Sequence, residues 1–153
     1  MKIELHTRLP CTADEAVRQV KKTKLLLHIA APLIRFAPHR PAILPEHWQP
    51  GTYLLDMKLF GILPLGRQAV VISYPQTDGC FTLLDDGHSA LVKTWRHRIT
   101  VTPQQEGCLY RDSVEIDAGI LTPAVDLFAE RFYRHRQKRW RQLAETRFAD
   151  LDG

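Results

Sequence analysis

The residues best placed to do chemistry lie in two neighbouring alternating stretches. In residues 94–101, Trp95, His97, Ile99 and Val101 share one side, and Thr94, Arg96, Arg98 and Thr100 share the other. Side chains alternate across an extended chain, so the apolar side faces inward and takes His97 with it. In residues 109–118 the same alternation groups Tyr110, Asp112, Val114, Ile116 and Ala118 against Arg111, Ser113, Glu115 and Asp117. An antiparallel pair must set inward against inward, so the numbers of paired residues sum to an odd value. With a turn centred on Gln104-Gln105 that sum is 209, which puts His97 opposite Asp112, Trp95 opposite Val114 and Ile99 opposite Tyr110. A slip by two residues leaves His97 and Asp112 as diagonal neighbours, still within reach. Polar groups on a core face need partners. The pattern therefore predicts an internal His-Asp-Tyr cluster. Three roles stay open for it: a self-satisfied pair that fixes register, a ligand contact, or a general base with His97 and Asp112 as the catalytic candidates.

A second constellation is Arg131 to Arg141, which holds six Lys/Arg and no acidic residue. It suits a solvated helix face, because cations are favoured in the second half of a helix. A surface for anionic membrane or nucleic acid, or an arginine reaching an acidic ligand group, are the alternatives. Segment 120–153 balances seven basic against five acidic residues, which makes nucleic acid a poor expectation. The seven histidines offer no i,i+4 pair on a helix and no cysteine partners, and Cys11, Cys80 and Cys108 are too scattered for a zinc motif. Phosphate-binding glycine loops, the G-x-S-x-G elbow and a dinucleotide fingerprint are absent from the sequence. No metal and no cofactor are expected.

The elements that position these residues are legible in order. Residues 2–9 alternate as a half-buried strand. Thr12 and Glu15 form a capping box for a helix running to about His28, whose Lys21-Lys22-Thr23-Lys24 run is expected to be solvated. Five prolines between 32 and 51 exclude regular helix there, with a short edge strand at 33–37 and an ordered loop held by Ile43, Leu44 and Trp48. Strands follow at 53–60, 68–74, 81–84, 91–102 and 109–118, separated by turns that include Pro75–Gly79 and Asp85-Asp86-Gly87. Such short connections imply an antiparallel meander. Thr122 caps and Pro123 begins a final helix to about Phe148, with Asp126 near its positive end and a stripe of Val125, Phe128, Phe132, Trp140, Leu143 and Ala144.

The chain has 153 residues, is 44% hydrophobic and 25% charged, and has a net charge of +4. That is the size and composition of one soluble globular domain, so 1–153 is expected to be a single unit. Disorder, collagen and a disulfide scaffold are excluded. The longest apolar stretch, 25–37, has 13 residues interrupted by His28, Pro32 and Arg35, too short for a membrane span. No signal-peptide pattern follows Met1, and three cysteines suit a reducing compartment, so a cytoplasmic location is expected.

This order of elements resembles the helix-grip fold of the START/polyketide-cyclase (SRPBCC) superfamily, and within it a bacterial subgroup without assigned chemistry. Three phrases carry the resemblance: Trp48-Gln49-Pro50-Gly51 before a strand, Phe60 to Gly66, and Ala118 to Pro123 leading into the last helix. The resemblance implies an α+β fold, a curved antiparallel sheet wrapped around the C-terminal helix with an apolar cavity between them. It further implies a small hydrophobic partner such as a lipid, polyketide or quinone. Tyr53, Met57, Trp95, His97, Tyr110, Asp112, Phe128 and Phe132 would line that cavity. A cyclase/dehydrase-like enzyme using His97 and Asp112 is the rival, and a weak homodimer stays open.

Overall fold

The computed structural model describes residues 2–152. Seven antiparallel strands form one curved sheet: β1 (Lys2–Leu9), β2 (Ile34–Arg40), β3 (Gly51–Leu59), β4 (Leu63–Ser73), β5 (Phe81–Ser89), β6 (Thr94–Pro103) and β7 (Cys108–Asp117). Their spatial order is β1-β7-β6-β5-β4-β3-β2. Two short helices, α1 (Ala13–Val20) and α2 (Thr23–Ala30), carry the chain from one edge strand to the other. The long helix α3 (Thr122–Glu145) packs against β1, β7 and α2. Pro38 sits in the edge strand β2, where a missing N–H is tolerated, and the register shifts between Pro38 and Arg40. A second shift lies between Met57 and Lys58. Such bulges bend a strand and add twist.

The core divides along α3. Its C-terminal half brings Trp140, Leu143 and Ala144 against Tyr110, Val101 and α1, while its N-terminal half packs Ala129, Phe132 and Tyr133 against Val114 and Ile116. Helix α3 ends at Glu145, earlier than the sequence suggests. Arg147 and Phe148 adopt positive φ (53° and 60°), and the Phe148 N–H donates to the Leu143 carbonyl at 2.7 Å. That reversal folds the Phe148 ring edge-on against Trp140, 6.0 Å between centroids. At the other end Thr122 lies inside the helix. Its hydroxyl donates to the Gly119 carbonyl and accepts from the Ala118 N–H, fastening a 3₁₀ turn at Gly119–Leu121.

Three other expectations need correction. The predicted helix 12–28 breaks at Lys21-Lys22, because the proline-rich loop takes its backbone partners there. The Trp48 N–H donates to the Lys21 carbonyl at 2.8 Å, and the Thr23 N–H donates to the Glu46 carbonyl at 3.0 Å. Lys22 and Thr23 are therefore buried rather than solvated, and Lys24 reaches the Leu151 carbonyl at 2.6 Å. Asp85-Asp86-Gly87 is strand, not turn. Gly87 lies so close to β4 that a Cβ would sit 2.8 Å from the Ala69 carbonyl oxygen, and only glycine fits. Thr12 does cap α1, accepting from the Glu15 N–H at 3.1 Å, while the Glu15 carboxylate takes Arg18 and Gln19.

Candidate functional site

Between the concave face of the sheet and helices α2 and α3 lies a cavity of about 410 Å³. Leu25 and Ile29 of α2, Met57 and Leu59 of β3, Val70 and Ile72 of β4, and Val125, Phe128 and Phe132 of α3 make most of its wall apolar. Leu91 and Leu121 both line the cavity and are substantially exposed, so its opening lies between the β5–β6 connection and the start of α3. Polar side chains reach the wall at few places: His97 from β6, Asp85 and Ser89 on β5, Gln68 on β4, and Arg136 from α3.

The β6–β7 register differs from the predicted one. Paired residues sum to 211, so His97 faces Val114, Ile99 faces Asp112, Trp95 faces Ile116 and Val101 faces Tyr110. The turn is one residue further along, with the Gln104 N–H donating to the Gly107 carbonyl at 3.3 Å. Gly107 sets that position: its φ is +85°, and a Cβ would fall 2.1 Å from the Leu9 carbonyl oxygen. Inward still meets inward, and the two-residue shift leaves His97 and Asp112 diagonal. Their side chains meet regardless, with His97 Nε2 2.6 Å from Asp112 Oδ1.

Asp112 is fully buried and its carboxylate is saturated with donors. Tyr110 donates its hydroxyl to Oδ1 at 3.0 Å, and the Gln137 amide donates to Oδ2 at 3.0 Å. Since a carboxylate only accepts, His97 is the Nε2–H tautomer and keeps Nδ1 as an acceptor. Burial pushes the His97 imidazole below its ordinary value despite the bond to Asp112, so the ring is neutral at pH 7. Burial alone would raise the Asp112 carboxyl, but His97, Arg136 and Gln137 together hold it below the ordinary range. The His97 ring also packs on Tyr133, 4.8 Å between centroids, and the Tyr133 hydroxyl accepts from the Trp95 indole at 2.7 Å.

Of the eight residues expected to line the cavity, Met57, Trp95, His97, Phe128 and Phe132 are on its wall. Tyr110 and Asp112 are not. They stand behind His97, because β7 gives no residue to the wall; α3 packs on β7 and β1 there instead. Tyr53 is also off the wall. Its hydroxyl is drawn to the backbone of Gln49, and its ring packs edge-on against Trp48 at 4.9 Å, so Trp48 lines the cavity in its place.

Two charged wall residues are not picked out by the sequence. Asp85 pairs with His97 across β5 and β6 and so shares its face. Its Oδ1 accepts the Val71 N–H at 2.9 Å, filling the gap in the β4–β5 ladder beside Gly87. Burial is the main reason its carboxyl is raised from 3.8 to about 7, against the Val71 hydrogen bond and the Arg136 charge. Arg136 stands in the run predicted to be a solvated face, yet it is only 5% exposed. The helical stripe held the signal, since Arg136 is four residues after Phe132 and four before Trp140. Arg139 and Arg141 also turn toward the protein, to His28 and Thr7, while Arg131, Arg134 and Lys138 are exposed. Asp126, expected near the positive end of α3, is buried there with neither carboxylate oxygen hydrogen-bonded.

The architecture matches solved structures throughout its length. A Chromobacterium violaceum protein superposes with a TM-score of 0.65 at 16% identity, covering 94% of this chain and 97% of that one. A START superfamily protein from Mycobacterium smegmatis gives 0.61 at 13% identity over 95% and 97%. Norcoclaurine synthase from Thalictrum flavum, solved in complex with dopamine and hydroxybenzaldehyde, gives 0.66 at 11% identity over 95% and 87%. The chain thus has the START/Bet v1-like helix-grip fold, and at these identities the likeness extends to fold alone. Residues 8–144 match the model of the domain of unknown function DUF8410, and the chain belongs to that family. A comparison with curated proteins found no match. Among the described residues, no helix is long and apolar enough to cross a membrane, and no three His, Cys, Asp or Glu side chains are grouped to hold a metal.

Proposed function

We propose that this protein encloses a small amphipathic molecule in the cavity between sheet and α3. The observation that carries this reading is the wall itself: about 410 Å³ of mostly apolar surface, into which His97, Asp85 and Arg136 bring polar groups from three different elements. Ligand pockets combine apolar area for affinity with a few fixed polar groups for orientation. Met57, Trp95, Phe128 and Phe132 supply the first, and His97 offers Nδ1 to a ligand hydroxyl. Asp112, Tyr110 and Gln137 act behind it by fixing its tautomer. Lipid, polyketide and quinone-like molecules fit this description, and three free thiols agree with the reducing cytoplasm in which we place the protein. Native mass spectrometry of freshly purified protein tests the reading. A bound molecule released on denaturation supports it. Bare protein that also fails to take up the neutral hydrophobe N-phenyl-1-naphthylamine contradicts it.

One observation favours a second reading, acid–base catalysis of the cyclase/dehydrase kind. His97 and Asp85 are paired across neighbouring strands on the cavity wall, one neutral at pH 7 and the other with its carboxyl raised to about 7. Exchange of a bound ketone's α-protons, measured by deuterium uptake, separates the two readings. Exchange that falls in His97→Gln or Asp85→Asn marks an enzyme, and binding without exchange marks a carrier.

A further inference from the structure

The Arg136 guanidinium is buried in an apolar wall without a hydrogen-bond partner. Its Nε is fully enclosed and unpaired, and none of the side chains or carbonyls among the described residues accepts from the group. Ring faces surround it instead, with Tyr133 at 5.0 Å and Phe132 at 5.7 Å. The nearby acids are already engaged. Asp112 accepts from His97, Tyr110 and Gln137, and Asp85 holds the Val71 N–H; neither forms an ion pair with Arg136. Burial works against the charge, but the guanidinium stays protonated beside the ionised Asp112. A group with five donors and no acceptor, held in low dielectric, has its hydrogen bonds unmade.

We infer that Arg136 receives the single anionic head of the cavity's ligand, and that this ligand is an apolar monocarboxylate or a close oxyanion equivalent. The inference rests on the cavity reading above and specifies its ligand class. A planar guanidinium is matched by a carboxylate, which takes two parallel N–H bonds, better than by a hydroxyl or an ester carbonyl. Among the described residues one such cation reaches the wall, so the ligand bears one charge. The rest of the wall receives its apolar body.

The test displaces N-phenyl-1-naphthylamine with two matched pairs, decanoate against methyl decanoate and 2-naphthoate against methyl 2-naphthoate. The assay runs at pH 6, where free carboxylic acids are ionised and the Asp85 carboxyl, at about 7, is mostly neutral. The readout is the acid-to-ester affinity ratio within each variant, which cancels any change in affinity for the reporter. In the native protein at least one pair should show a ratio of about 10 or more, as one charge-assisted hydrogen-bonded pair supplies. That ratio should collapse to about 1 in Arg136→Met, while Arg136→Lys, with a point charge instead of a fork, should fall between. Acids that compete no better than their esters in the native protein would overturn the inference and leave the cavity reading standing. So would a preference that survives Arg136→Met or, if that variant does not fold, an undiminished preference in Arg136→Lys. Bare native protein that fails to bind the reporter would overturn both; where a co-purified molecule keeps the reporter out, a molecule without an acid group would overturn the inference alone.

Discussion

Replacing Asp112 removes the acceptor of three buried donors at once: His97 Nε2–H at 2.6 Å, the Tyr110 hydroxyl at 3.0 Å and the Gln137 amide at 3.0 Å. Each buried donor left unpaired costs about 1–3 kcal/mol, so Asp112→Ala has an upper bound of about 9 kcal/mol. That would exhaust much of the roughly 5–15 kcal/mol that holds a domain folded, and partial unfolding would obscure the measurement. Asp112→Asn is the better perturbation. It keeps the shape and one acceptor oxygen but exchanges the other for a donor facing donors, so a loss of about 2–4 kcal/mol is expected. Urea unfolding at pH 7 reads it as a lower midpoint at unchanged slope. The pH dependence supplies a second readout. The native Asp112 carboxyl titrates below its ordinary 3.8, so its contribution is complete above that value and is lost as pH falls through the lowered one. Asp112→Asn should therefore lie furthest below the native protein at pH 5–7 and approach it as pH falls below 3.8. A loss under about 1 kcal/mol at pH 7, or a pH-independent one, would mean that the three donors do not converge on an ionised Asp112.

The Asp85 carboxyl is raised from 3.8 to about 7, so its protonated form favours the native state fully below 3.8, and that advantage disappears as pH rises through 7; Asp85→Asn should gain stability relative to native protein between pH 5 and pH 8 in urea titrations. Gly107→Ala meets the Leu9 carbonyl at 2.1 Å and should lose about 2–4 kcal/mol, whereas Gly66→Ala, at φ +87° with open space around it, should lose only about 1–2 kcal/mol; equal losses would deny the close approach. Arg134→Glu with Lys138→Glu changes two exposed helix positions and should move stability by about 1 kcal/mol or less, with Arg134 giving up its 2.9 Å contact to Glu130.

The sequence was most legible where period and parity are strict. Alternation alone set His97, Tyr110 and Asp112 on one face, because a one-residue slip would have exposed Trp95 and Val114. It could not fix the register to within two residues. That depended on the backbone contact between Gly107 and Leu9, which joins the hairpin to a strand about 100 positions away. Asp85 was misread for a local reason: Asp-Asp-Gly is turn chemistry, and only the pairing with β6 and the Val71 N–H draws it into a strand. Arg136 was hidden by its neighbours. Five other Lys and Arg residues around it pointed to a solvated face, while its spacing from Phe132 and Trp140 pointed inward. The break between α1 and α2 was set by loop carbonyls and N–H groups 20 or more residues away, which no local propensity encodes.

The central claim is that the space between Met57, Trp95, Phe128 and Arg136 holds a ligand. A crystal structure of the protein with N-phenyl-1-naphthylamine tests it most directly. The account predicts one naphthyl ring per chain inside the cavity, against Trp95 and Phe128, with the His97–Asp112 bond intact. A probe found only on the outer face, or a cavity closed by inward movement of Phe128 and Phe132, would contradict it.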